Sequence, residues 1–378
     1  MTRFWTVFLG VLLAGSGIAA EIPIPAPPQI GATSYLLMDT TSDRVLAEQA
    51  ADQPVEPASL TKLMTAYAVF KALGEGQISL SDQVRVSEKA WRTEGSRMFI
   101  EVNTEVSVED LIRGMIIQSG NDASVALAEH VAGSEEVFVG LMNHHAELLG
   151  LNGTHFQNST GLPGDNHMMT ARDVALLAHA IIEEFPDYYR LYSEREFTYN
   201  GITQHNRNSL LWRDSSVDGL KTGYTEAAGY CLVTSAERDG MRLISVVLGT
   251  ASTQARSDAS QALLNYGFRF FETHRLYTGG TEITTARVWK GVPQIASLGL
   301  AEDLSITIPR GHYESLAAIM DLSTELVAPV ARGTIVGAVR VSLAEDSVVD
   351  VPLVVLEDVP EAGFLGRIKD AILLWWQS

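Results

Sequence analysis

The chain has 378 residues, a length that fits two domains of ordinary size better than one. Its 27 basic and 46 acidic side chains give a net charge of -19, and such a field excludes a nucleic-acid backbone as partner. A single cysteine excludes a disulfide framework, and the nine histidines lack paired ligand spacing, so we expect no metal and no cofactor. That cysteine, Cys231, lies in an apolar stretch and is expected to be buried and inert.

The first 20 residues have the pattern of a secretory signal peptide. Arg3 supplies the positive start, residues 4–13 form a short apolar run, and small residues follow up to Ala20. A retained membrane anchor is the alternative, but the apolar run is short and the proline-rich spacer 22–28 follows it. We therefore predict that residues 1–20 are removed and that the mature protein acts outside the cytoplasm.

Residues 21–275 are predicted to form one domain of helices and antiparallel strands. Ser107 and Asp110 make a capping box at a helix start, and Asp239-Gly240 between two β-rich runs indicates a hairpin. Strands are predicted at 33–39, 44–47, 229–236 and 241–248, and helices at 59–73, 107–118, 122–131, 170–184 and 253–274.

The pattern changes after residue 275. Short β-branched runs, separated by glycine and proline, recur at 282–288, 304–308, 335–341 and 348–355. Residues 276–360 are therefore predicted to form a small all-β domain.

The last segment, residues 361–378, has an amphipathic helical pattern. Arg367, Asp370 and Gln377 fall opposite an apolar face. That face consists of Phe364, Leu365, Ile368, Ala371, Ile372, Trp375 and Trp376. A helix lying in a membrane interface and a helix docked on its own protein both fit, and the adjacent tryptophans favour the interface.

A candidate nucleophile lies at the start of the first predicted helix, where Ser59 precedes Lys62 by one turn. A serine nucleophile needs an adjacent base, and a lysine whose pKa is lowered by burial can serve. Taken alone, Ser-x-x-Lys fits equally a capping serine beside a surface lysine.

Two further motifs carry side chains that can handle a peptide. Ser119-Gly120-Asn121 lies between two predicted helices and offers a proton-transferring hydroxyl and an amide. Lys221-Thr222-Gly223 enters a β-rich stretch, where the lysine and threonine form an anion-binding pair and the glycine allows close backbone approach. Arg256 can add a second cation. Each alone also fits an ordinary turn, edge strand or solvated helix residue.

The order of these motifs is informative, since Ser119 follows Ser59 by 60 residues and Lys221 follows Ser119 by 102. This is the order described for penicillin-binding serine acyl-transferases. The sequence resembles the low-molecular-mass penicillin-binding proteins, the serine-type D-alanyl-D-alanine carboxypeptidases, over nearly the whole chain. The resemblance is carried by residues 58–65, 111–123, 217–225 and 268–272.

The resemblance implies an α+β fold. It consists of a penicillin-recognising serine acyl-transferase domain with helices packed on an antiparallel sheet, then the small all-β domain and the C-terminal helix. It implies removal of the terminal D-Ala from peptidoglycan pentapeptide stems through a Ser59 acyl-enzyme, and acylation by β-lactams. The enzyme would be periplasmic and peripheral on the outer face of the inner membrane, held there by residues 361–378.

Individual roles follow from the same resemblance. Lys62 would accept the proton of Ser59, and Ser119 would relay it to the leaving amine. Backbone N–H groups of Ser59 and Tyr224 would form the oxyanion hole. The substrate-binding residues would be Asn121, Lys221, Thr222, Gly223, Tyr224, Arg256 and Arg207, with Lys221, Thr222 and Arg256 gripping the terminal carboxylate.

Three other activities compete with this interpretation. A class A β-lactamase needs a glutamate that activates water, but residues 155–173 contain only Asp165 and Asp173 as acids. A penicillin sensor that acylates without turnover usually joins a membrane-spanning segment. A peptidoglycan DD-endopeptidase is the closest rival.

Overall fold

The computed structural model describes residues 24–322, 325–344 and 346–377. The predicted signal peptide, residues 1–20, lies outside these ranges. The side chains of Leu365, Ile372, Trp375 and Trp376 also lie outside what the structure describes.

The first domain contains both helices and strands, as predicted. In chain order its strands are β1 (Ser34–Asp39), β2 (Val45–Gln49), β3 (Gln83–Arg85), β4 (Glu105–Ser107), β5 (Glu196–Tyr199), β6 (Ile202–His205), β7 (Val217–Thr225), β8 (Gly229–Arg238) and β9 (Met241–Thr250). Its helices are α1 (Lys62–Gly74), α2 (Glu88–Arg92), α3 (Val108–Ile117), α4 (Asn121–Ala132), α5 (Glu135–Leu148), α6 (Ala171–Glu184), α7 (Pro186–Tyr189), α8 (Leu210–Arg213) and α9 (Thr253–Phe270).

An antiparallel sheet in the order β2-β1-β9-β8-β7 separates two layers of helices. Successive side chains of a strand point to opposite faces of the sheet, so adjacent residues of a strand pack in different hydrophobic cores. Leu36 packs with the buried faces of α1, α3, α4 and α6, while Leu37 packs with Leu263 and Leu264 of α9. The sheet is therefore covered on both faces, and β7 forms one of its edges.

Ser107 caps the start of α3, as predicted, and its hydroxyl also pairs with the Asp110 side chain. The Ser107 hydroxyl oxygen accepts the backbone N–H of Asp110 at 3.1 Å, and the hydroxyl donates to the Asp110 carboxylate at 2.8 Å. This cap fixes the start of the helix whose far end leads directly into Ser119.

The second domain is all-β, as predicted, and ends in a helix. Its elements are β10 (Phe271–Tyr277), β11 (Thr284–Trp289), β12 (Ile295–Gly299), β13 (Leu304–Pro309), β14 (Leu316–Leu322), β15 (Leu326–Val327), β16 (Ile335–Leu343), β17 (Asp346–Val355) and α10 (Phe364–Gln377). Within the described ranges, the larger sheet has the order β14-β16-β17-β12-β11-β15, and β10 pairs with β13. None of the helices described is long and apolar enough to cross a bilayer.

The last helix of the first domain is shorter than the predicted 253–274. It ends at Phe270, and residues 271–277 form β10 because they pair antiparallel with β13. Phe271 is buried, and Glu272 accepts the backbone N–H of Gly311 at 3.0 Å. Partners some 35 residues further along the chain, which no local pattern reveals, decide this boundary.

Candidate active site

Ser59 and Lys62 lie on the same side of a tight turn. Residues 58–61 form a 3-10 turn immediately before α1, where the sequence had predicted that the α-helix begins at Ser59. Ser59 is half-buried and Lys62 is buried. The Lys62 amine lies 3.0 Å from the Ser59 hydroxyl oxygen, so the base reaches the nucleophile directly.

The Lys62 amine has two further oxygen partners. It donates to Asn121 Oδ1 at 2.7 Å and to the backbone carbonyl of Thr160 at 2.5 Å. A neutral amine has two hydrogens and one lone pair. Since the two carbonyl oxygens can only accept, they take both hydrogens and leave the lone pair directed at Ser59.

The charge state of Lys62 suits a general base. The pKa of Lys62 is lowered to about 7, mainly by burial and also by the positive charge of Arg207, while the negative charge of Asp122 opposes the shift. A base works best when its pKa lies near the working pH. At neutral pH a substantial fraction of Lys62 is therefore ready to accept a proton.

Ser119 and Lys221 form a second serine–lysine pair in the same site. Ser119, at the junction of α3 and α4, has a left-handed backbone with φ of 66°. The Lys221 amine on β7 donates to the Ser119 hydroxyl at 2.8 Å. Burial, followed by the positive charges of Lys62, Arg207 and Arg256, holds the pKa of Lys221 well below its ordinary value.

The Asn121 side chain is fixed at both ends. Its Nδ2 donates to the backbone carbonyl of Glu94 at 2.6 Å, while its Oδ1 accepts from Lys62. The neighbouring Asp122 accepts backbone N–H groups from residues 98–100 and so holds the loop that carries Glu94. The orientation of the Asn121 amide is therefore set before any substrate binds.

Strand β7 approaches the nucleophile turn closely at Gly223. A Cβ at this position would lie 3.1 Å from the carbonyl oxygen of Pro57 and 3.3 Å from the backbone nitrogen of Ser59. Contacts this short are tighter than ordinary van der Waals contact. The glycine thus lets β7 lie beside Ser59, as the motif had suggested.

These groups border a cleft of about 560 Å³. Its lining residues are Ser59, Ser96, Ser119, Arg207, Ser209, Thr222, Gly223, Tyr224, Tyr230, Thr253, Gln254 and Arg256. None of these is acidic. Arg256 donates to the carbonyls of Gly223 and Cys231 at 3.3 and 3.4 Å. Arg207 is exposed and makes no hydrogen bond or ion pair with any residue that the structure describes.

The cleft brings together all ten site residues predicted from the sequence. Seven of them line it, and Lys62, Asn121 and Lys221 join it through hydrogen bonds to the first seven or to one another. Sequence reasoning missed the carbonyl groups of Glu94 and Thr160, because a backbone carbonyl has no residue signature. It also missed His167, described below.

Two residues considered in the sequence analysis, Asp173 and Cys231, have structural environments. Asp173 is buried and accepts from the Gly153 N–H at 2.9 Å and the Thr154 hydroxyl at 2.7 Å, which is a structural role. Cys231 is fully buried, and burial raises the pKa of its thiol to about 11. A thiol in that state is protonated and unreactive at neutral pH, as predicted.

The site has a serine beside a buried lysine and a second serine–lysine pair. At one end its cleft is lined by Arg207 and Arg256 and by no acid. These features together define a serine acyl-transferase. The comparisons with known proteins give its family. Residues 22–252 match the D-alanyl-D-alanine carboxypeptidase family, peptidase S11, and residues 271–361 match the C-terminal domain of penicillin-binding protein 5.

Relatives match along almost the entire chain. The D-alanyl-D-alanine carboxypeptidase DacA of Escherichia coli K12 is 46% identical over 99% of this chain and 94% of its own length. DacC of the same organism is 46% identical over 96% and 92%. The crystal structure of penicillin-binding protein 5 from Haemophilus influenzae has a TM-score of 0.87 and 44% identity, covering 89% of this chain and 100% of that one.

The chain therefore belongs to the D-alanyl-D-alanine carboxypeptidase family. It is a serine-type carboxypeptidase, and both the family and the α+β fold with an appended all-β domain, predicted from the sequence, are confirmed.

Proposed function

We propose that this protein removes the terminal D-alanine from peptidoglycan pentapeptide stems through a Ser59 acyl-enzyme. The observation that carries the proposal is the 3.0 Å contact between the Lys62 amine and the Ser59 hydroxyl, with both remaining amine positions occupied by acceptors. Such a lone pair can remove the hydroxyl proton as Ser59 attacks.

In acylation, Ser59 Oγ forms a bond to the penultimate D-alanine carbonyl carbon, and Lys62 takes the Ser59 proton. Backbone N–H groups of Ser59 and Tyr224 stabilise the oxyanion, as the resemblance implies. When the C–N bond breaks, the leaving amine needs a proton. Ser119 relays to it the proton that Lys62 has taken, as the resemblance implies, and Lys62 becomes neutral again. The Lys221 amine holds the Ser119 hydroxyl in place at 2.8 Å.

In deacylation, water attacks the Ser59 ester. Lys62 accepts a proton from the water and returns one to Ser59 Oγ, so the shortened peptide leaves with its own carboxylate and the enzyme is restored. The alignment of the Lys62 lone pair toward Ser59 supports this second use of the same base.

The cationic end of the cleft supports recognition of a free C-terminal carboxylate. Arg256 and Arg207 supply charge, and the Thr222 hydroxyl supplies a hydrogen bond. Guanidinium groups pair with carboxylates in a planar, two-bond geometry. A substrate that ends in D-alanine presents this carboxylate, and a penicillin presents an equivalent one next to its strained amide.

The C-terminal helix supports a position on a membrane surface. Its Asp370 is buried against the β-domain, where it accepts the Lys290 backbone N–H at 2.7 Å. Phe364 and Ile368, on the other side of α10, are 70% and 43% exposed. Asp370 thus meets the protein while Phe364 and Ile368 face outward, which suits burial of these apolar side chains in the headgroup region. We place the enzyme in the periplasm, peripheral to the inner membrane.

Incubation of the purified mature protein with a peptide ending in D-Ala-D-Ala tests the proposal. We expect free D-alanine in amounts equal to the shortened peptide. Cleavage of a crosslinked stem dimer without D-alanine release would favour an endopeptidase, and a stable penicillin adduct without peptide turnover would favour a sensor.

A further inference from the structure

His167 is a buried histidine next to the nucleophile turn that none of the steps above uses. It is 1% exposed, and its Nε2 lies 2.8 Å from the Thr61 hydroxyl oxygen. Its Nδ1 faces the backbone N–H of Gln157 at 3.4 Å and the side-chain amide nitrogen of Asn158 at 3.3 Å. Because both neighbours of Nδ1 are donors, Nδ1 carries the lone pair and Nε2 carries the hydrogen. The pKa of His167 is lowered to about 4, mainly by burial and also by the charges of His155 and Lys62, so the ring is neutral at neutral pH.

Asn158 connects His167 to the conformation of the loop formed by residues 158–162. Its Oδ1 accepts from the N–H and hydroxyl of Thr160, at 3.1 and 2.9 Å, and from the N–H of Gly161 at 2.7 Å. Its Nδ2 donates to the carbonyl of Leu162 at 2.9 Å and to His167. If the Asn158 amide were rotated by half a turn, its nitrogen would face the donors of Thr160 and Gly161. The His167 lone pair and these groups therefore fix one orientation of the Asn158 side chain.

The loop selected in this way lies directly on the catalytic turn. Thr160 presents its carbonyl to the Lys62 amine at 2.5 Å. Gly161 is packed so tightly that a Cβ would lie 1.8 Å from the Ala58 carbonyl oxygen. Ser159 is held separately by Glu135. The loop therefore stays attached through Ser159 when His167 is replaced, and only its inner edge is released.

We propose that His167 is a positioning residue for the general base. By bonding Thr61 through Nε2 and Asn158 through Nδ1, it fixes the gap between the nucleophile turn and loop 158–162. It thereby keeps the Thr160 carbonyl in hydrogen-bond contact with the Lys62 amine. This inference rests on the proposed function, in which Lys62 is the base.

Loss of His167 has an electrostatic consequence for Lys62. The other ionisable groups that face Lys62 are Asp122 on α4, Arg207 after β6 and Lys221 on β7. These stay in place when the loop edge is released. Burial is the largest cause of the lowered pKa of Lys62. Water admitted at the loop edge therefore raises that pKa, and the same loss frees one amine hydrogen from its acceptor.

Two matched pairs of variants test the inference. His167→Leu and Thr61→Val remove the hydrogen bond, whereas His167→Gln and Thr61→Ser retain a donor and a hydroxyl at the same places. The readout is the rate constant of acylation by a labelled penicillin as a function of pH, with a melting curve for each variant. We expect the first pair to be slower by about 10- to 100-fold, with the acid limb moved to higher pH. The second pair should follow the parent.

Parent-like rates and an unmoved acid limb in His167→Leu and Thr61→Val would overturn the inference. Equal slowing in all four variants with an unmoved limb would also overturn it, since that indicates packing alone. If His167→Leu does not fold, the Thr61 pair decides. A parent enzyme that is not acylated at Ser59 would instead refute the proposed function.

Discussion

Lys221 and Ser119 are 102 residues apart in the chain, yet the Lys221 amine donates to the Ser119 hydroxyl at 2.8 Å. The contact joins the edge strand of the sheet to the helical layer. Across the cleft, Lys62 and Ser59 form a second serine–lysine pair at 3.0 Å. The enzyme thus has one pair positioned for attack and one positioned to protonate the leaving group.

The first prediction concerns pH. Only the neutral amine of Lys62 can accept a proton, and its pKa is lowered to about 7. The acylation rate constant should therefore rise as the pH approaches about 7 and level off above it. Stopped-flow measurement with a chromogenic β-lactam gives the profile, and Lys62→Arg, which stays protonated, is the inactive control. A flat profile from about pH 5 to about pH 9 would be incompatible with Lys62 as the base.

The second prediction concerns Gly223. In Gly223→Ala the new methyl group meets Pro57 and the Ser59 backbone, so β7 and the nucleophile turn must separate. Acylation should slow by about 10²-fold. Gly140→Ala is the matched control, because Gly140 lies on exposed α5 with nothing within 4 Å of the new Cβ. If both variants acylate at the parent rate, the close approach of β7 has no catalytic importance.

The third prediction concerns the carboxylate. Arg256→Ala should lower kcat/KM by about 10- to 100-fold on a peptide with a free C-terminus, since a charge-assisted hydrogen bond is lost. On the same peptide with an amidated C-terminus, parent and variant should differ little. Arg213→Ala removes an exposed arginine paired with Asp258 and serves as control. An equal loss on both peptides, with a lower Tm, would show that Arg256 supports the strands and not the substrate.

The fourth prediction concerns the tail. Removal of residues 364–378 should abolish sedimentation with phosphatidylethanolamine–phosphatidylglycerol vesicles and leave turnover of a small peptide unchanged. This cut keeps Ala362, whose N–H bonds Lys290 in the β-domain. In the intact chain, Phe364→Ser with Ile368→Ser should weaken sedimentation, whereas Val137→Ser, on α5, should not. Vesicle binding that survives the truncation would make α10 a purely structural helix.

Much of the site was predictable because its chemistry lies in side chains at characteristic spacing. Ser59 and Lys62 share one turn, and Lys221 and Gly223 alternate with Thr222 along a strand. The parts that were not predictable depend on backbone atoms or on distant partners. The Thr160 carbonyl has no sequence signature, and His167 acts through hydrogen bonds to residues that no spacing rule relates to it.

In the fold, too, the features set by local sequence were predictable and those set by distant partners were not. The strand pattern at residues 33–39 and the capping signal at Ser107 were sufficient to place those elements. The end of α9 was not, because β13 draws residues 271–277 into a strand. The pattern set Asp370 opposite the apolar face of α10. The pattern alone did not reveal that this carboxylate would be buried and would accept the backbone N–H of Lys290.

The identity of the nucleophile is the central claim, and peptide mapping by mass spectrometry of the penicillin-treated enzyme tests it most directly. We expect a mass increase of one intact penicillin on the peptide that contains Ser59. Ser59→Ala should show no adduct and no D-alanine release at an unchanged Tm. An adduct of undiminished yield on another residue of Ser59→Ala would contradict the account.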